Sequence, residues 1–79
     1  MKLSRSIDAS QLIKALHKFG YESTRQSGSH IRLTTQENGQ HHITIPNHDP
    51  LKIGTLNAIL TEVAQHLGIS KQDFIEKLF

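Results

Sequence analysis

Gly28-Ser29-His30-Ile31-Arg32-Leu33 is the stretch of this 79-residue chain with the most chemical potential. His30, Arg32 and Thr34 alternate with Ile31, Leu33 and Thr35. A period of two sends the first set to one face of a β-strand and the second to the other. With the apolar face buried, an imidazole and a guanidinium stand side by side on the open face. A histidine exchanges a proton near neutral pH and an arginine keeps its charge. The pair suits a phosphate-containing substrate, although an ordinary solvated strand face has the same make-up. Gly28 gives room for a close backbone approach, or simply makes a turn. Ser29 can donate to a phosphate oxygen or satisfy that turn. Arg25 and Arg32 are candidates for clamping a phosphate, set against a reading as solvated strand charges.

Other residues could extend such a site. Lys14, Lys18 and Lys52 form a basic track or serve solubility. Gly54 and Thr55 open a helix, whose free N–H groups favour a phosphate, while Thr55 as a plain cap is the simpler reading. His48 in a loop and His42 on a strand are candidates for a second proton-transfer group, or surface histidines with no role. A metal hydrolase would have to draw on His30, His41, His42 and His48. Adjacent strand residues 41 and 42 face opposite sides, and Asp49 has no carboxylate partner, so neither a metal nor another cofactor is expected.

The elements that must hold these residues can be read from spacing. Met1 to Ile7 carries Lys2 and Arg5 without a clear period and reads as a loose basic arm. Asp8 with Gln11 resembles a capping box. Leu12, Ile13, Leu16 and Phe19 then give a helix over residues 9 to 19, stopped by Gly20. Tyr21 to Gln26 is a short first strand with Tyr21 inward. Ser29 to Thr35 is the central strand and His41 to Pro46 the third. Facing residues share a face, so Leu33 should oppose Ile43, Ile31 Ile45, Arg32 Thr44 and Thr34 His42. His30 then stands opposite Pro46, where the ladder ends. This register leaves Glu37-Asn38-Gly39 as the hairpin loop, with Gly39 at the place that wants positive φ. Thr55 caps a second helix carrying Leu56, Ile59, Leu60, Val63 and Leu67, ended by Gly68. Ser70 with Asp73 opens a short third helix whose Phe74, Ile75 and Leu78 face the core. A helix, three antiparallel strands and two helices make an α+β two-layer domain.

Composition sets the outer bounds. A chain of 79 residues, 35% of them hydrophobic, makes one domain with a modest core. There is no cysteine for a disulfide or thiolate site, which fits a cytoplasmic protein. No apolar run approaches a membrane span, and no signal-peptide core is visible at the N-terminus. The formal charge of +2 permits a nucleic-acid partner without demanding one.

Taken together, Leu12-Ile13-Lys14-Ala15-Leu16 before a Gly20-aromatic pair, Arg25-Gln26-Ser27-Gly28-Ser29-His30, Thr44-Ile45-Pro46, His48 and Leu51-Lys52-Ile53-Gly54-Thr55-Leu56 before Ile59-Leu60 resemble the HicA, or YcfA-like, toxins. The likeness covers about residues 9 to 69. It implies a double-stranded-RNA-binding-like α-β-β-β-α fold within a single domain over residues 1–79, residues 70–79 being a helical extension. It also implies an endoribonuclease that cleaves mRNA and is held inactive by a HicB-type antitoxin. The catalytic histidine of the family maps onto His30. Many members carry a second histidine next to it; Ile31 takes that place here, and its inward face assignment removes it from the chemistry. A non-catalytic RNA-binding or partner-binding module on the same fold is the main alternative. The open face lacks an aromatic platform for stacking bases.

Overall fold

A computed structural model describes residues 7–48 and 51–78. The elements run α1 (Ala9–Leu16), a 3-10 turn (His17–Phe19), β1 (Glu22–Ser27), β2 (His30–Thr35), β3 (His41–Pro46), α2 (Ile53–Leu67) and α3 (Lys71–Leu78). The strands form one antiparallel sheet in the order β1-β2-β3. This is the α+β domain expected from the spacing, with the helices gathered on one face.

Local chemistry sets the helix ends. Asp8 accepts from the Gln11 N–H while the Gln11 side chain accepts from the Asp8 N–H, completing the capping box. The last turn of the first helix tightens to 3-10 geometry before Gly20, whose φ of 80° ends it. A Cβ at Gly20 would also stand 2.7 Å from the Glu37 carboxylate. The second helix begins three residues earlier than expected. Lys52 is its N-cap and Ile53 its first residue, which puts Thr55 in the first turn instead of at the cap. Ser70 does cap α3, its Oγ accepting from the Asp73 N–H at 3.1 Å.

The helices and the sheet close over one core. Leu12, Leu16, Tyr21, Leu33, Ile45, Leu56, Leu60, Val63, Phe74 and Leu78 are all fully enclosed. Phe19 meets Phe74 edge to face at 5.0 Å, which seats α3 against the end of the first helix. Lys18, a candidate for the basic track, instead donates its ammonium to the Leu78 carbonyl at 3.0 Å. A cation there caps the helix end, where the carbonyls lack partners. Ile7 also departs from the loose-arm expectation. It is buried, and its carbonyl accepts from the Leu51 N–H at 2.8 Å. The remainder of that arm, residues 1–6, lies outside the described residues, as do Asp49, Pro50 and Phe79.

The sheet follows the expected β2–β3 register pair for pair, from His30 opposite Pro46 to Thr35 opposite His41. Pairing stops there, so the connection spans residues 36–40, longer than the expected Glu37-Asn38-Gly39 loop, and it holds Asn38 at φ 57° and Gly39 at φ 95°. The β1–β2 hairpin is tighter. Ser27 pairs with His30 across Gly28 and Ser29, and Gly28 takes the positive φ of 58° that a two-residue turn with glycine first demands.

One irregularity decides what the open face presents. Ser23 opposes inward-facing Leu33, and Ser27, four residues on, opposes outward-facing His30. Strict alternation would put both on one face, so a residue must be absorbed between them. Thr24 is that residue, forming a β-bulge between Ser23 and Arg25. Its hydroxyl lies 2.9 Å from that of Thr34, which in turn lies 2.7 Å from His42 Nδ1. This cross-strand chain ties the bulge to the open face.

Candidate active site

His30 opens β2 between Ser27 on one side and Pro46 on the other. Proline has no N–H to continue the ladder. The chain instead turns away, with the Asn47 N–H donating to the Ser29 carbonyl at 2.6 Å and the His48 N–H to the Pro46 carbonyl at 2.9 Å. The His48 carbonyl accepts from Ala9 at the start of α1. The strand mouth is thereby fixed on both flanks while the His30 side chain stays exposed.

Two residues along, Arg32 faces Arg25 on β1 and Thr44 on β3. Arg25, Ser27, His30, Arg32 and Thr44 line a concavity of about 280 Å³ on the open face. His30, Arg32 and Arg25 are legible in the sequence as candidates, whereas Ser27 and Thr44 join the hollow through strand pairing. Both are direct cross-strand partners, and the expected register already held Thr44 opposite Arg32. No carboxylate lines this hollow, and among the described residues the one ion pair is His41 with Glu62, elsewhere in the molecule.

The other candidates lie outside the hollow. Gly28 and Ser29 form its turn. His42 shares the open face, but stands four residues along β3 from the partner of His30, about 13 Å away at strand rise. His48 is closer in sequence to the strand mouth, two residues beyond Pro46, and exposed. Lys52 and Thr55 sit at the start of α2, and Lys14 is exposed on α1, both in the helix layer.

A second polar cluster lies under the sheet. His41 faces away from His42, as alternation requires: its Nδ1 is 2.7 Å from the Tyr21 hydroxyl and its Nε2 3.1 Å from Glu62. The His41 ring stacks on His66 at 4.3 Å. His66 Nε2 donates to the Glu37 and Gly39 carbonyls, and Asn38 donates back to the His66 carbonyl, tying the β2–β3 turn to the end of α2. Burial pushes the Tyr21 hydroxyl up to about 12, with the negative charges of Glu62 and Glu37 adding to it. This cluster joins elements and was not read from the sequence, because its four members are scattered over residues 21 to 66. Among the described residues, no group of three or more metal-ligating side chains is placed to hold an ion.

Residues 9–68 match the family model described as the HicA toxin of bacterial toxin–antitoxin. The chain belongs to the HicA toxin family. It is therefore the toxin component of a toxin–antitoxin system and has an antitoxin as its partner. No curated protein and no solved structure matches it. The match covers the whole sheet and α2 and stops before α3, so the third helix of this HicA-family toxin lies outside the shared region. Among the described residues no helix is long and apolar enough to cross a membrane.

Proposed function

We propose that this HicA-family toxin is a metal-independent endoribonuclease that cleaves mRNA in the cytoplasm, with His30 as its catalytic residue. The observation that carries the reading is the hollow itself, where an exposed imidazole stands two residues along the strand from a facing pair of guanidiniums, with no carboxylate in the lining. RNA supplies its own nucleophile. The 2′-oxygen bonds to the adjacent phosphorus, the bond to the 5′-oxygen breaks, and a 2′,3′-cyclic phosphate and a 5′-hydroxyl result. The protein must take the 2′-proton, return one to the leaving oxygen and offset the charge gained at phosphorus. His30 moves the proton, a role worth about 10²- to 10⁴-fold. Arg32, two residues along β2, and its cross-strand partner Arg25 add positive potential at that phosphate and hold the RNA backbone beside it.

The surrounding residues have subsidiary places in this scheme. Gly28 and Ser29 shape the turn that lets a nucleotide backbone approach His30, with the Ser29 hydroxyl free to donate to a phosphate oxygen. Of the two secondary histidines, His48 is the one placed near the strand mouth, and His42 is too distant to serve the same phosphate. Lys52 and Thr55 at the start of α2 offer further contacts to a longer RNA. A HicB-type antitoxin silences the enzyme by covering His30 and the two arginines.

A binding-only module is the second reading, favoured by one observation: His30 is the only imidazole lining the hollow, with no carboxylate beside it as a second acid or base. End-group analysis of RNA treated with the toxin separates the readings. Cyclic-phosphate and 5′-hydroxyl ends support the mechanism given. Ends with 5′-phosphate would contradict it, and intact RNA would leave the binding module.

A further inference from the structure

We infer that Arg25 and Arg32 form a second phosphate site, for the phosphodiester next to the one cleaved at His30, so that the substrate must be an internal stretch of RNA. The inference rests on the ribonuclease reading and extends it to a chain-length requirement.

Four observations converge on this site. Arg25 and Arg32 are direct cross-strand partners. Like charges in that relation are destabilising on their own, and among the described residues neither forms an ion pair. An anion between them removes the repulsion. Second, both line the same hollow as His30. Third, the arginine pair lies two residues along β2 from His30, about 7 Å at strand rise, comparable to the separation of successive phosphates in a single strand. One phosphate cannot easily serve both places, whereas two neighbouring phosphates can. Fourth, the bulge is what reconciles inward Ser23 with outward Arg25 and Ser27. The hydroxyl chain from Thr24 through Thr34 to His42 holds it there. Guanidiniums also suit the task by chemistry, since their planar forks match phosphate oxygens in pairs.

The test compares kcat/KM on mixed-sequence trinucleotides, which have two phosphodiesters, with dinucleotides, which have one. The wild-type toxin should prefer the trinucleotide by about tenfold or more, as expected for a charged hydrogen-bonded contact. In Arg25→Ala the preference should shrink to within about twofold, with Arg25→Lys restoring part of it and Thr24→Val reducing it while the protein stays folded by circular dichroism. A wild-type toxin indifferent to length, or an Arg25→Ala variant that keeps the full preference, would overturn the second site. If no RNA of any length is cut, the ribonuclease reading fails and the site is judged by binding. The log–log salt slope for single-stranded RNA should then fall by about 0.7 from wild type to Arg25→Ala. An unchanged slope would overturn it on that arm too.

Discussion

At the scale of single residues, the candidate site depends on which side chains are free and which are committed. His30 is exposed and the two arginines have no acidic partner among the described residues, whereas Lys18 and His41 are occupied by structural contacts. A basic residue free to meet a phosphate is therefore a narrower class than the nine lysines and arginines of the chain. Gly28 carries a cost that can be measured. Its φ of 58° is strained for any side chain, although a Cβ there would touch nothing. Gly28→Ala should lower stability by about 1–2 kcal/mol through backbone conformation alone, and thermal denaturation will read it. Because Gly28 sets the turn into His30, cleavage should fall beyond what the lost stability explains.

At the scale of elements, the sheet was more legible than the helix ends. Alternation of inward Ile31, Leu33, Ile43 and Ile45 fixed the faces of β2 and β3, and the turn glycine Gly39 chose among the registers that keep them. A slip of one residue would turn every one of them to solvent. The face shared by His30 and Arg32 was readable for the same reason. The position of Arg25 was not. β1 is exposed along its length and has no apolar alternation to betray a bulge, so its parity is set by its two ends. Nor was the start of α2, since Lys52 lacks a capping side chain and Thr55 looked the better cap. The Tyr21–His41–Glu62 cluster joins three elements and gives a pH signature. The Tyr21 hydroxyl ionises near 10 in the unfolded chain and near 12 in the folded one. The folded state thus holds its proton longer, and stability that is complete below pH 10 is lost between about pH 10 and 12, by roughly 2–3 kcal/mol. Tyr21→Phe should flatten that part of the stability curve, and should cost about 1 kcal/mol at neutral pH by leaving His41 Nδ1 unpartnered.

At the scale of the whole molecule, the family match and the fold do not end at the same place. The shared region stops at residue 68, yet α3 supplies Phe74, Ile75 and Leu78 to the core. Burying three such side chains contributes roughly 1.5–3 kcal/mol each. That total rivals the 5–15 kcal/mol that typically holds a domain together. Truncation after Gly68 should therefore abolish the cooperative thermal transition, even though it keeps every residue of the hollow. A truncated chain that still melts cooperatively would show that α3 is dispensable and leave it free for partner contact. The layered plan also explains how one small domain can serve two demands. The helices and the inner strand face provide the core, and the outer face is left to His30, Arg25 and Arg32.

The central claim, cleavage of RNA by His30 without a metal, is tested most directly on a gel. Mixed-sequence RNA would be incubated with wild-type toxin and with His30→Ala, each with and without EDTA, after circular dichroism has shown both proteins folded. Because His30 is exposed and makes no contact in the core, its loss should leave stability within about 0.5 kcal/mol. The prediction is cleavage that survives EDTA and falls by about 10²- to 10⁴-fold in the folded variant. Cleavage that persists in His30→Ala, or that EDTA abolishes in the wild type, would contradict it.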